Sequence, residues 1–115
     1  MPYHTPLDPL PRPLETTFNK HGHTYEQSIR TDNAAIFNVF LVAPHAKRLI
    51  GYELIRVRVK EAANLPGGKT VPRREVYPND EEFGRHGWYF SYGEFETVLA
   101  RFKLLLEEEN HGPTE

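Results

Sequence analysis

The sequence has no cysteine, which excludes disulfides, thiolate nucleophiles and cysteine-held zinc or iron–sulfur clusters. An intracellular protein is the expectation. It also has no run near the roughly 20 apolar residues that cross a bilayer, and its start lacks the basic and apolar regions of a secretion signal. A cytoplasmic chain without a membrane partner is expected. Neither sign of charge dominates: the formal net charge is −2 and the pI about 6.3, so the overall balance encodes no general attraction to nucleic acid or anionic lipid. Known catalytic signatures are missing too. There is no nucleophile elbow and no zinc-protease motif, and Gly67-Gly68-Lys69-Thr70 lacks the earlier glycine of a phosphate-binding loop, so it reads as a turn.

What remains is a chain of 115 residues, 38% hydrophobic and 12% aromatic, enough for one small core but not two. Prolines at 2, 6, 9, 11 and 13 exclude helix and central strand from the start of the chain. Residues 1–16 are therefore expected as a proline-rich tail, residues 17–110 as one domain and 111–115 as a second tail. Pro9-Leu10-Pro11-Arg12-Pro13 has the composition of a polyproline ligand and equally that of a segment lying on the domain.

Thr17 to Arg30 reads as a strand anchored by Phe18, Tyr25 and Ile29, turning at Thr31-Asp32-Asn33 into a second arm, Ala34 to Val42. That arm is apolar on both faces, as expected of a strand covered on both sides, with Asn38 as the exception. Residues 43–51, with Pro44, Lys47, Arg48 and Gly51, are expected as a connection. The alternation from Tyr52 to Glu61 predicts a third strand, with Ile55, Val57 and Val59 inward and Arg56, Arg58 and Lys60 outward. Ala62 to Arg74 reads as a long loop.

Asn79 with Glu82 has capping-box spacing and predicts a short helix stopped at Gly84. Gly87 to Phe90 reads as a brief strand. Ser91 with Glu94 forms a second capping box, flanked by Phe90 and Phe95 as a hydrophobic staple. Phe95, Val98, Leu99, Phe102, Leu105 and Leu106 then recur at helical spacing up to Asn110, Gly112 and Pro113. One amphipathic helix and a one-sided sheet bury each other as two layers, so the expected fold class is α+β: an antiparallel sheet of three to four strands packed on a C-terminal helix.

Several clusters carry candidate chemistry. His21 and His23 fall on one side of an extended segment and are the only pair placed to start a metal site, with His4, His45 or His86 as a third ligand. Six histidines in a polar chain are also ordinary surface residues, and no cofactor is expected. Asp80, Glu81 and Glu82 sit where a helix start favours the ionised form, which suits capping better than acid–base work. Glu107 to Glu109 read as a solvated acidic end. Arg56, Arg58 and Lys60, with Lys69, Arg73 and Arg74, form the best anion-contacting stripe; a solvated strand face paired with Glu26 and Glu53 is the plainer alternative. Trp88, Tyr89, Phe90 and Tyr92 divide between core and surface, where rings anchor partners.

Tyr25 with Arg30-Thr31, Gly51-Tyr52-Glu53, Tyr77-Pro78 with Asp80-Glu81 and Phe83-Gly84, then Gly87-Trp88, together resemble a group of small uncharacterised phage and mobile-element proteins over residues 20–106. The resemblance implies an intracellular, non-enzymatic accessory protein that acts by binding another protein. Phe83-Gly84-Arg85-His86-Gly87 is also similar to the signature of the WGR domain, a DNA-end-binding module, with Phe83 in place of its tryptophan. That similarity implies a nucleic-acid face at Arg85, Trp88 and the basic strand. The expected binding residues are thus Arg56, Arg58, Lys60, Arg85, Trp88 and Tyr92, with a protein partner foremost, nucleic acid second and a histidine-dependent metalloenzyme third.

Overall fold

A computed structural model of the chain describes residues 10–44 and 46–111, with side chains through 108. Pro2, Pro6, Pro9, His4, His45, Gly112 and Pro113 lie outside the described residues, as do the side chains of Glu109 and Asn110.

The centre is an antiparallel sheet of order β1-β2-β3-β4-β9, formed by Thr17–Lys20, His23–Arg30, Ala34–Ala43, Ala46–Arg56 and Gly87–Ser91. β5 (Arg58–Lys60) pairs with β8 (Arg74–Val76), and β6 (Ala63–Asn64) pairs with β7 (Thr70–Val71), outside this sheet. The helix α1 (Phe95–His111) lays Val98, Phe102 and Leu105 on Ala34, Ile36, Tyr52 and Leu54. On the opposite face Tyr25, Ala35, Phe37, Val39, Ile55 and Val57 are covered by Leu14, Phe18 and Tyr77, side chains of the edge and of connecting segments. The α+β class holds, and β3 is buried on both faces as its sequence demands.

The sheet has one strand more than the upper expectation because the first predicted strand is a hairpin. His21 and Gly22 adopt φ of 54° and 79°, the left-handed pair that a two-residue hairpin turn requires. Thr31-Asp32-Asn33 turns as predicted, with the Thr31 N–H donating to the Ala34 carbonyl at 2.8 Å.

The connection expected over residues 43–51 is instead strand: β3 and β4 pair as far as Ala43 opposite Ala46. Lys47 and Arg48 are tolerated because this end projects past the other strands, where a charged side chain stays in water; Lys47 also meets Glu26. Gly51 lies within the strand because the Tyr89 ring rests on it. A Cβ there would stand 2.2 Å from Tyr89 Oη and 2.5 Å from the Phe90 carbonyl oxygen.

The third predicted strand also divides. β3 begins at Ala34, so beyond Arg56 the chain has no central partner, and it leaves the sheet after the Val57 N–H donates to the Asn33 carbonyl. Val59, expected inward, is 40% exposed because no layer lies over it there. The loop expected over residues 62–74 contains the β6–β7 hairpin, closed by Gly67 and Gly68, both at φ 83°. Asn79 and Glu82 form their capping box around a 3-10 turn, Asp80–Glu82, and the Ser91 N–H donates to the Glu94 carboxylate at 2.9 Å ahead of α1.

The segment before β1 is fastened down. The Arg12 N–H donates to the Arg73 carbonyl at 3.0 Å, and the Glu75 N–H returns to the Arg12 carbonyl at 2.9 Å. The Leu14 N–H meets Glu75 Oε1 at 3.0 Å, while both Arg30 terminal nitrogens fork onto the same carboxylate at 2.9 and 2.6 Å. Backbone groups on residues 12–16 thus find partners on β8 and β2.

Candidate binding face

The basic stripe predicted from sequence is largely committed to intramolecular partners. Arg56 donates to Glu108 at 2.9 Å, sends Nε to the Arg85 carbonyl at 3.3 Å and stands over the Trp88 ring at 5.6 Å. Arg58 forks onto Glu82 at 2.8 and 2.6 Å, and that carboxyl is held far down, at about 2, chiefly by this bond. Arg73 meets Glu61, and Arg74 donates to the carbonyls of Glu61 and Pro72. Glu108 and Glu82, rather than Glu26 and Glu53, neutralise this strand. Lys60 and Lys69 have no ion pair among the described residues.

The structure gathers Arg56, Arg85 and Trp88 and adds Arg101, whose guanidinium lies 5.1 Å from the Trp88 ring. Lys60 and Tyr92 stand apart: Lys60 on the β5–β8 hairpin, Tyr92 beyond the far end of β9. Arg101 was missed because its helical position marks it only as one of the exposed charges.

The histidine geometry differs from expectation. His21 occupies the β1–β2 turn, with Nε2 4.0 Å from Asp80, while His23 lies in β2, so they do not share an extended face. Among the described residues, no group of three His, Cys, Asp or Glu side chains could hold a metal ion. His86 has its Nδ1 buried without a partner, and burial together with Arg58 and Arg85 pulls its pKa down.

Glu53, expected on the solvated strand face, is instead buried, because it continues the Ile55–Val57 face two residues back. Its side chain is 5% exposed between the cross-strand neighbours Phe37 and Tyr89, with Oε1 unpartnered. Burial pushes its carboxyl up to about 7, against the pull of Lys20. Lys20 itself sits among the rings of Tyr77, Phe83 and Tyr25, at 4.4, 5.1 and 5.3 Å. Burial and the nearby Glu53 push the Tyr25 phenol up to about 12. Lys20 and Tyr77 also line a depression of about 380 Å³ with Leu14, Phe18 and Asn19, and Glu53 is not among its lining residues.

A further open stretch of edge lies at the projecting end of the β3–β4 pair. β9 pairs with β4 only from Gly51 to Ile55, so among the described residues 46–50 have a strand neighbour on one side only. Where β9 ends, Tyr89 Oη donates to the Ile50 carbonyl at 3.1 Å. Exposed Leu41, Val42, Tyr89, Tyr92 and Phe95 surround this end, Tyr92 at 68%. A depression of about 430 Å³, lined by Arg48, Leu49, Ile50 and Tyr92, runs along the open edge. A second, of about 280 Å³ between Ile29, Leu49, Tyr52 and Phe95, adjoins it through Leu49.

Comparison with family models, with curated proteins and with solved structures finds no match to this chain. Among the described residues no helix is long and apolar enough to cross a membrane.

Proposed function

We propose that this protein is a non-catalytic binding module that holds another protein against the projecting end of β3 and β4. The carrying observation is the number of exposed large apolar side chains at this end of the sheet, Leu41 and Tyr89 on one face and Val42 and Phe95 on the other, with Tyr92 beyond β9: five of the nine on the described surface. Water contact by such side chains is unfavourable, and rings and aliphatic chains beside an arginine, here Arg48, suit a protein contact. The enclosed setting of Glu53 and the scattered histidines favour binding over catalysis. An accessory role in a phage or mobile element, in the cytoplasm, is the setting the sequence resemblance implies.

The test is affinity capture from the native cell with the full chain and with a Leu49→Asp, Tyr92→Ala variant whose circular dichroism matches the parent. Specific protein partners should be retained by the parent and lost by the variant. Equal capture by both removes the proposal. Capture abolished by nuclease would turn attention to nucleic acid and to the face formed by Arg56, Arg85, Trp88 and Arg101.

A further inference from the structure

We infer that the partner is held by strand addition: an extended segment of alternating acidic and apolar residues pairs with the outer edge of β4 at residues 46–50. This rests on the protein-binding reading above and specifies how that surface is used.

The backbone supplies the first argument. β9 leaves the sheet after Ser91, opposite Gly51, so among the described residues the outward N–H and C=O groups of the preceding β4 residues have no strand to meet. Such a row is a template for another strand, each added hydrogen bond replacing one to water. Tyr89 Oη already satisfies the Ile50 carbonyl, so the free template runs from Leu49 back toward Ala46. This length suits a short added strand.

Side chains supply the second. Arg48 and Ile50 point to one face of the sheet and Leu49 to the other, yet all line the same depression with Tyr92. A groove walled from both faces follows the edge itself, and an incoming strand would place alternate side chains against Ile50 on one side and Leu49 on the other, with Tyr92 at its end.

Charge selects the occupant. Residues 41–50 contain Lys47 and Arg48 and no Asp or Glu. Lys47 is engaged with Glu26, whereas Arg48 has no ion pair among the described residues. A second copy pairing edge to edge would bring like charges together across the new ladder, which disfavours self-association. A strand carrying carboxylates opposite Arg48 gains instead.

The experiment uses the isotopically labelled full chain and two synthetic peptides of equal length, one alternating glutamate and valine, the other lysine and valine. At millimolar concentration the glutamate peptide should slow amide exchange within residues 46–49 by about tenfold or more, and the lysine peptide should not. Methylating alternate peptide nitrogens should abolish the protection, and Arg48→Glu should reverse the preference between peptides. No protection, equal protection by both peptides, or a dimer held through this edge in sedimentation would overturn the inference. A cellular partner lost with Leu49→Asp, Tyr92→Ala but retained with Arg48→Glu would leave the binding function standing and refute an acidic strand as the occupant.

Discussion

Glu53 shows how burying one side chain contributes to a protein's pH response. Its carboxyl moves from 4.5 in the unfolded chain to about 7 in the fold, so between those values the folded state holds a proton that the unfolded state has released. The contribution of Glu53 to stability therefore falls as pH rises through this window and is level above it. Replacing the group with a neutral isostere removes the cost of burying its charge. Glu53→Gln is expected to leave stability unchanged at pH 4 and to raise it by about 3 kcal/mol at pH 8, read from urea unfolding at both values. Glu82 acts in the opposite sense: its lowered carboxyl contributes stability at neutral pH that is lost as pH falls toward 2. Little of this was legible beforehand. The carboxylates that neutralise Arg56 and Arg58 lie 52 and 24 residues away in the chain, and no local pattern encodes a pairing at that range.

Elements whose signals are local were readable. The Asn79 and Ser91 capping boxes and the stripe through Val98, Phe102 and Leu105 each specify their structure within one or two turns of chain, and each stands where predicted. Elements defined by absent neighbours were not. Lys47 and Arg48 look like loop residues until the strand bearing them is seen to project into water, and the open edge they carry follows from where β9 ends. His21-Gly22 was hidden for another reason: histidine seldom leads a two-residue hairpin turn, so the glycine alone marked it. Gly22 meets no atom within 4 Å of an added Cβ, so only its φ of +79° opposes substitution. Gly22→Ala is expected to cost about 1 kcal/mol in thermal or urea unfolding, with no change in the pairing of β2 with β3.

For the whole molecule, the consequential finding is that residues 12–16 belong to the folded body. Leu14 packs on the core face that carries Phe37 and Val39, and its N–H shares the Glu75 carboxylate with Arg30. A chain beginning at residue 17 loses that contact and its hydrogen bonds while leaving Glu75 with one partner fewer. Relative to a chain beginning at residue 10, it should be less stable by about 2–4 kcal/mol in urea unfolding. Proline spacing says nothing about the surface against which such a segment lies.

The single indole of this protein is approached by a guanidinium carried by β4 and another carried by α1. Its fluorescence is therefore a built-in optical gauge of helix docking: lifting α1 away removes one of the two cations from the ring and alters the emission without any attached dye.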